Sequence, residues 1–215
     1  MTIVLLTGFE PFDRDTVNPS WEAARALDGW TGDGFRVIAR RLPCVIDDVG
    51  AAIVEAIDQT APDVVIGLGL AGGRAGVTPE RVAINWVDAR IPDNAGSQPV
   101  DQPVIAGGPA AYFTGLPIKA MVRAVRVAGL PASVSYSAGT YACNAAFYAL
   151  MHHIAERRPA LRGGFVHVPY LHAMAVEHPG APSLSLADLV EAVRSMVIAA
   201  VTVEVDIHAT EGALN

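Results

Sequence analysis

The chain is short of charge and of cysteine. Only 17% of its 215 residues are Asp, Glu, Lys or Arg, against 52% hydrophobic, which excludes a disordered chain, where the balance runs the other way. Lys and Arg number 15 against 22 Asp and Glu, a formal charge of −7. No basic run supplies the stripe that a phosphate backbone requires, so nucleic acid is not expected as a partner. The two cysteines, Cys44 and Cys143, could pair, but an apolar N-terminus without a basic leader or cleavage site points to the cytoplasm, where thiols stay free. The longest stretch without a charged residue, 127–155, has the length of a membrane span. Pro131, Ser133, Ser135, Ser137, Asn144, His152 and His153 within it would strand polar groups in lipid, so it reads as two buried elements and no membrane contact is expected.

Apolar and amphipathic runs alternate through the rest. Residues 3–7, 35–42, 64–68 and 164–168 read as buried strands, 133–137 as an alternating strand, and 81–87 as extended. Helices are expected at 19–27, with Pro19 in the first turn, at 47–60, 118–128 and 141–155, and after Ser185, which stands three residues before Asp188 as in a capping box. Residues 88–109 are dense in Gly, Pro, Asp and Asn, and a loop of that length is expected beside a site. Strands separated by helices give an α/β fold, a mostly parallel sheet covered on both faces as an α/β/α sandwich. No linker or repeat divides residues 1–215, so one domain is expected. In such sheets ligands gather at the carboxyl ends of the strands, which directs attention to residues 8–12, 67–73, 137–144 and 167–170.

Gly67-Leu68-Gly69-Leu70-Ala71-Gly72 has the letters of a dinucleotide fingerprint after a strand. Gly73, Gly76 and Pro79 follow where a helix would have to begin, so a tight turn is expected in place of a cofactor site. His152, His153, His167, His172 and His178 lack the spacing of a zinc helix, and no metal is expected. Cys143 enters a helix after the turn at Gly139, with Thr140 placed to cap it. There first-turn N–H groups favour a thiolate and can receive an oxyanion. Position alone leaves two readings of Cys143 open, nucleophile or buried structural thiol. Cys44, without such a turn, reads as structural. A nucleophilic thiol needs a base and the base an orienting acceptor; His167, at an apolar strand end, and Glu80, closing a glycine-rich loop, are the candidates.

These blocks resemble a known family. Thr7-Gly8-Phe9-Glu10-Pro11-Phe12, Asn18-Pro19-Ser20-Trp21, Gly72-Gly73-Arg74, Glu80-Arg81-Val82-Ala83-Ile84-Asn85, Asp88-Ala89-Arg90-Ile91-Pro92-Asp93-Asn94, Ala138-Gly139-Thr140-Tyr141-Ala142-Cys143-Asn144 and His167-Val168-Pro169-Tyr170 are similar, in order, to pyroglutamyl peptidase type I. The resemblance implies a cofactor-free cysteine peptidase that removes N-terminal pyroglutamate through a thioester, as a cytoplasmic homotetramer. It implies Cys143 as nucleophile, His167 as base, Glu80 as third member, and Arg90 with the Cys143 N–H at the oxyanion. Phe9, Phe12, Asn18, Leu70, Ile91, Tyr141 and Ala142 are implied at the substrate. Asp13-Arg14 stands where many members have two glycines, and Leu70 where many have glutamine. Two readings from other classes are a catalytically silent pyroglutamyl-binding protein and a nucleoside-phosphorylase-like enzyme, for which Arg74 and Arg90 are the available phosphate partners.

Overall fold

The computed structural model describes residues 1–212. The first strand, β1 (Thr2–Phe9), ends where Asn18 accepts the Ser20 N–H at 3.1 Å and Pro19 fills the first helical position, starting α1 (Pro19–Ala26). There follow β2 (Thr31–Gly32), β3 (Phe35–Leu42), α2 (Ile46–Thr60), β4 (Val64–Leu70), β5 (Thr78–Pro79), β6 (Val82–Ile84), β7 (Ala111–Phe113), α3 (Ile118–Val127), α4 (Ala142–Arg157), β8 (Arg162–Val168), β9 (Tyr170–Leu171), α5 (His172–Ala175), β10 (Ser183–Leu184) and α6 (Leu186–Thr202).

Six strands form one sheet in the order β2-β3-β1-β4-β8-β5. The central four are parallel and the two edge strands antiparallel. Side chains alternate across it: Val4 and Leu6 of β1 face Leu27, Met121, Val125, Val193 and Met196 of the α1, α3 and α6 layer. Leu5 faces Val49, Ile53, Phe147 and Leu150 of the α2 and α4 layer. Two apolar layers on one parallel sheet give the α/β/α sandwich, and explain why β4 is apolar or glycine throughout.

Three expectations are corrected. Residues 133–137 form no continuous strand. Val77 donates to Pro131 O at 3.1 Å, Ser133 to Val77 O at 3.3 Å, Ser135 to Pro79 O at 2.9 Å and Arg81 to Ser135 O at 2.8 Å. The missing rung between them is the one that needs an N–H on Pro79, so two isolated bridges remain. Gly67 and Gly69 lie inside β4, and the turn begins only after Leu70. Thr140 does not cap α4; Tyr141 holds the cap position without a side-chain bond, and the Thr140 hydroxyl donates to Asp88 O at 2.8 Å.

The long loop 88–109 has neither helix nor ladder of its own, yet it is held. Buried Asp93 accepts the Ile46 N–H at 2.8 Å through Oδ2, capping α2 from 47 positions away, and its Oδ1 accepts from Ala95 and Ser97 at 2.9 Å each. Asn94 donates to Glu10 Oε1 at 2.8 Å and to Pro11 O at 2.9 Å. The loop thereby fixes the turn that leaves β1.

A similar distant cap starts α3, whose own cap residue, Pro117, offers no side-chain acceptor. Asp206 accepts the Lys119 N–H at 3.0 Å and the Ala120 N–H at 2.9 Å. Asp206→Ala is expected to lower unfolding stability by about 1–2 kcal/mol, seen as a lower urea midpoint at unchanged slope; an unchanged midpoint would show that water serves the helix end equally well.

Candidate active site

The ladder between β4 and β8 pairs Gly69 with His167, and Cys143 sits directly on Gly69. A Cβ built on Gly69 would lie 2.7 Å from Cys143 Sγ and 2.8 Å from the Phe165 ring, so the missing side chain is what lets the thiol approach the sheet beside the imidazole. Cys143 is the second residue of α4, where no side chain caps the exposed N–H groups. Asn144, fully buried, locks this first turn: Oδ1 accepts from Ile84 N–H at 3.0 Å and Nδ2 donates to Ile84 O at 2.9 Å and Trp86 O at 3.0 Å.

His167 is buried at the end of β8, and its Nδ1 lies 2.7 Å from Glu80 Oε1. Glu80 reaches it because β5 runs antiparallel to β8, pairing Thr78 with His167, and the next N–H, that of Glu80, donates to Phe165 O at 2.8 Å. A carboxylate accepting from Nδ1–H leaves the Nε2 lone pair for the pocket. Arg74 is the addition that sequence reasoning did not assign to this group. It donates to Glu80 Oε1 at 2.6 Å, to Ser137 O at 3.1 Å and to the Thr78 hydroxyl.

Burial sets the resting charges. It pushes the His167 pKa below the usual histidine value, and Glu80 opposes this without cancelling it. It also pushes the Cys143 thiol well above the usual range. Burial thus works against both charged forms, imidazolium and thiolate, and at Cys143 it opposes the pull of the helix N-terminus expected from the sequence.

Cys143 and His167 open into a cavity of about 160 Å³ walled by Phe9, Phe12, Asn18, Cys44, Leu70 and Tyr141, with the segment 138–140 beside them. The size suits one small ring or side chain, below the several hundred Å³ of larger ligand sites. Phe12 and Tyr141 meet at 6.2 Å between ring centroids, and the Tyr141 hydroxyl donates to Pro92 O at 3.0 Å, tying the wall to the long loop. Asn18 spends its side chain on the wall itself, accepting from Ser20 and donating to Glu10 O at 3.0 Å. Asp13, at φ +55°, occupies the left-handed region where glycine is at ease. No Asp, Glu, Lys or Arg lines the cavity.

Of the residues expected at the site, Phe9, Phe12, Asn18, Leu70, Tyr141, Cys143 and His167 line the cavity, and Glu80 stands behind His167. Arg90 is exposed, Ile91 half-buried and Ala142 buried, and none of the three lines it. Cys44, expected to be structural, is buried in the core and also forms part of the wall, its thiol pushed up to about 12 chiefly by burial. The carboxyl-end rule would have found it, since Cys44 follows the end of β3. A larger cavity of about 560 Å³ lies between α2, α4 and residues 99–105 and contains none of these catalytic candidates. Among the described residues no group of three or more His, Cys, Asp or Glu could hold a metal ion, and no helix is long and apolar enough to cross a membrane.

A family model described as pyroglutamyl peptidase matches residues 2–203, beyond the stretch that carried the resemblance. A pyrrolidone-carboxylate peptidase of Yersinia pestis (strain Pestoides F) is 51% identical over 215 residues, covering 100% of both chains. Among solved structures, pyroglutamyl peptidase I from Bacillus amyloliquefaciens superposes with a TM-score of 0.95 at 47% identity, covering 97% of this chain and 99% of the other. A mutant pyrrolidone carboxyl peptidase from Pyrococcus furiosus gives 0.90 at 38% identity, over 93% and 98%.

A histidine buried neutral makes stability depend on pH. With the folded pKa of His167 below its ordinary value of 6.5, the unfolded chain binds more protons in the window beneath 6.5, so stability rises with pH there and is lost as pH falls. The melting temperature is expected to drop on acidification from pH 7 to 5, and to drop less in His167→Gln. Equal slopes in the two proteins would mean that His167 carries no such penalty.

Proposed function

The chain belongs to the pyroglutamyl peptidase family, and from that premise we propose how its own residues carry the reaction. The activity is that of a cysteine peptidase, removal of an N-terminal pyroglutamyl residue from a peptide. The observation that supports this division of labour is a small cavity without charged walls, with a thiol and a carboxylate-oriented imidazole together on it.

His167 Nε2 takes the Cys143 thiol proton as Sγ attacks the pyroglutamyl carbonyl carbon. The N–H groups at the start of α4, that of Cys143 among them, receive the developing oxyanion. Arg90, exposed here, would have to swing in to assist. The imidazolium, stabilised by Glu80, then gives its proton to the leaving amine as the C–N bond breaks, leaving a thioester. Water, deprotonated by His167, attacks the thioester; pyroglutamate leaves and the thiol regains its proton. Phe9, Phe12 and Tyr141 hold the flat lactam with Leu70 at its edge; Ile91 and Ala142, outside the cavity wall, support it from behind, and no cofactor is required.

The nucleoside-phosphorylase-like reading loses its phosphate partners, because Arg74 is engaged by Glu80 and Arg90 lies outside the cavity wall. The same proposal takes residues 1–215 as one domain and the protein as a cytoplasmic homotetramer. Two free thiols support the compartment, and Trp86, shortly after β6, and Phe113, the last residue of β7, at 44% and 70% exposure, support contact with another copy.

Specificity provides the sharpest test. A free N-terminal glutamine would bring an ammonium into walls that hold no countercharge, costing several kcal/mol as a rough figure. Pyroglutamyl amides are expected to exceed glutaminyl and glutamyl amides in kcat/KM by at least ~10³, equivalent to about 4 kcal/mol. Prolyl amides, which lack the lactam carbonyl, are expected to be poor substrates. Equal values for the pyroglutamyl and glutaminyl amides would overturn the pocket assignment.

The nucleophile is tested separately. Cys143→Ser is expected to abolish turnover with the melting temperature kept, and Glu80→Gln to lower kcat more than it raises KM. A folded Cys143→Ser protein that still turns over would remove Cys143 from the role and leave the silent-binder reading equally unsupported.

A further inference from the structure

Glu80 is fully buried, and both of its contacts fall on one oxygen: Oε1 accepts from His167 Nδ1 at 2.7 Å and from Arg74 at 2.6 Å, while Oε2 has no hydrogen-bond partner. A buried carboxylate whose only donor is a neutral imidazole tends to take up a proton, either itself or as imidazolium on its partner. The Arg74 guanidinium, 27% exposed and so still in reach of water, is the charge set against that oxygen. Its second nitrogen donates to Ser137 O at 3.1 Å, where the segment 138–140 that walls the cavity begins. Arg74 can make both contacts because Gly73, at φ +92°, reverses the chain after β4, with the Arg74 N–H returning to Ala71 O at 3.3 Å.

We infer that Arg74 is a positioning residue for this reaction: it holds the Glu80 carboxylate turned to His167, sets a positive charge against the Glu80–His167 pair, and anchors the pocket wall to the catalytic carboxylate. The inference rests on the peptidase reading of the site. The other titratable groups facing the pair are Cys143 on α4, Cys44 ahead of α2 and the Tyr141 phenol at the α4 cap; none is a cation, and Arg74 is the cation that lowers the proton affinity of both His167 and Cys143. Without it the pair takes up its proton at higher pH, whichever residue carries it, and Cys143 loses its proton at higher pH. A residue that only propped up the loop would leave the pH dependence where it was.

The test compares wild type, Arg74→Met and Arg74→Lys as full chains, with kcat and KM for a pyroglutamyl amide followed from pH 5 to 9 and the rate of Cys143 alkylation by iodoacetamide over the same range. In Arg74→Met the acid limb of kcat is expected to move alkaline by ~1 unit or more, so that kcat at pH 6 falls about tenfold further than at pH 8, with KM changed far less. The onset of Cys143 alkylation moves the same way. Arg74→Lys, which keeps the charge, keeps the acid limb in place and recovers much of the lost kcat. An acid limb unmoved in Arg74→Met, or a pH-independent loss that Lys does not recover, overturns the inference. Should Arg74→Met fail to fold by circular dichroism, Arg74→Gln, which also removes the charge, takes its place under the same criteria. Failure of the wild type to cleave the amide overturns the peptidase reading instead, and the alkylation profiles still decide the role of Arg74.

Discussion

Everything at the catalytic centre depends on one register, the parallel pairing of β4 with β8 that sets Gly69 beside His167. With no Cβ on Gly69, the first turn of α4 can lower Cys143 onto the sheet. The antiparallel strand on the far side of β8 then brings Glu80 up behind the imidazole. A slip of one residue would turn His167 to the opposite face, since strand side chains alternate. The aromatic stack of Phe165 on Phe147, 5.9 Å between centroids, fills the space under the site and holds that register from the α4 side.

The second constraint is burial among uncharged walls. Such a cavity suits a lactam, whose polar groups are an amide and not an ion, and it rejects an amine by leaving it unpaired. The same burial acts on the machinery: it disfavours both imidazolium and thiolate. Glu80 and the unpaired N–H groups at the start of α4 stand where charge on the imidazole and beside the thiol would need support.

The loops that build the walls are ordered by side chains acting over long sequence distances. Asp93 caps α2 and Asp206 caps α3 from outside those helices, and Asn144 and Asn94 join α4 and the long loop to β6 and to the turn after β1. All are bonds to backbone groups, and those of Asp93, Asp206 and Asn144 are buried or half-buried, which makes them costly to leave unmade. They explain how residues 88–109 can lack regular structure and still hold the pocket.

The sequence by itself determined the alternation of strands and helices, because hydrophobic periodicity, Pro19 in a first turn and the cap at Ser185 are local signals that the folded chain keeps. Its ordered motif blocks also brought Cys143, His167 and Glu80 forward as candidates, and the strand-end rule pointed to the region where the fold gathers them. It could not place the 133–137 segment, whose ladder fails at a proline in a different strand, nor show that Cys44 shares the wall with Cys143. The Arg74–Glu80 bond and the high proton affinity of Cys143 likewise belong to the tertiary structure. Each of these depends on burial and on neighbours brought together across the sheet, and desolvation is a property of the packed site that no local run of residues carries.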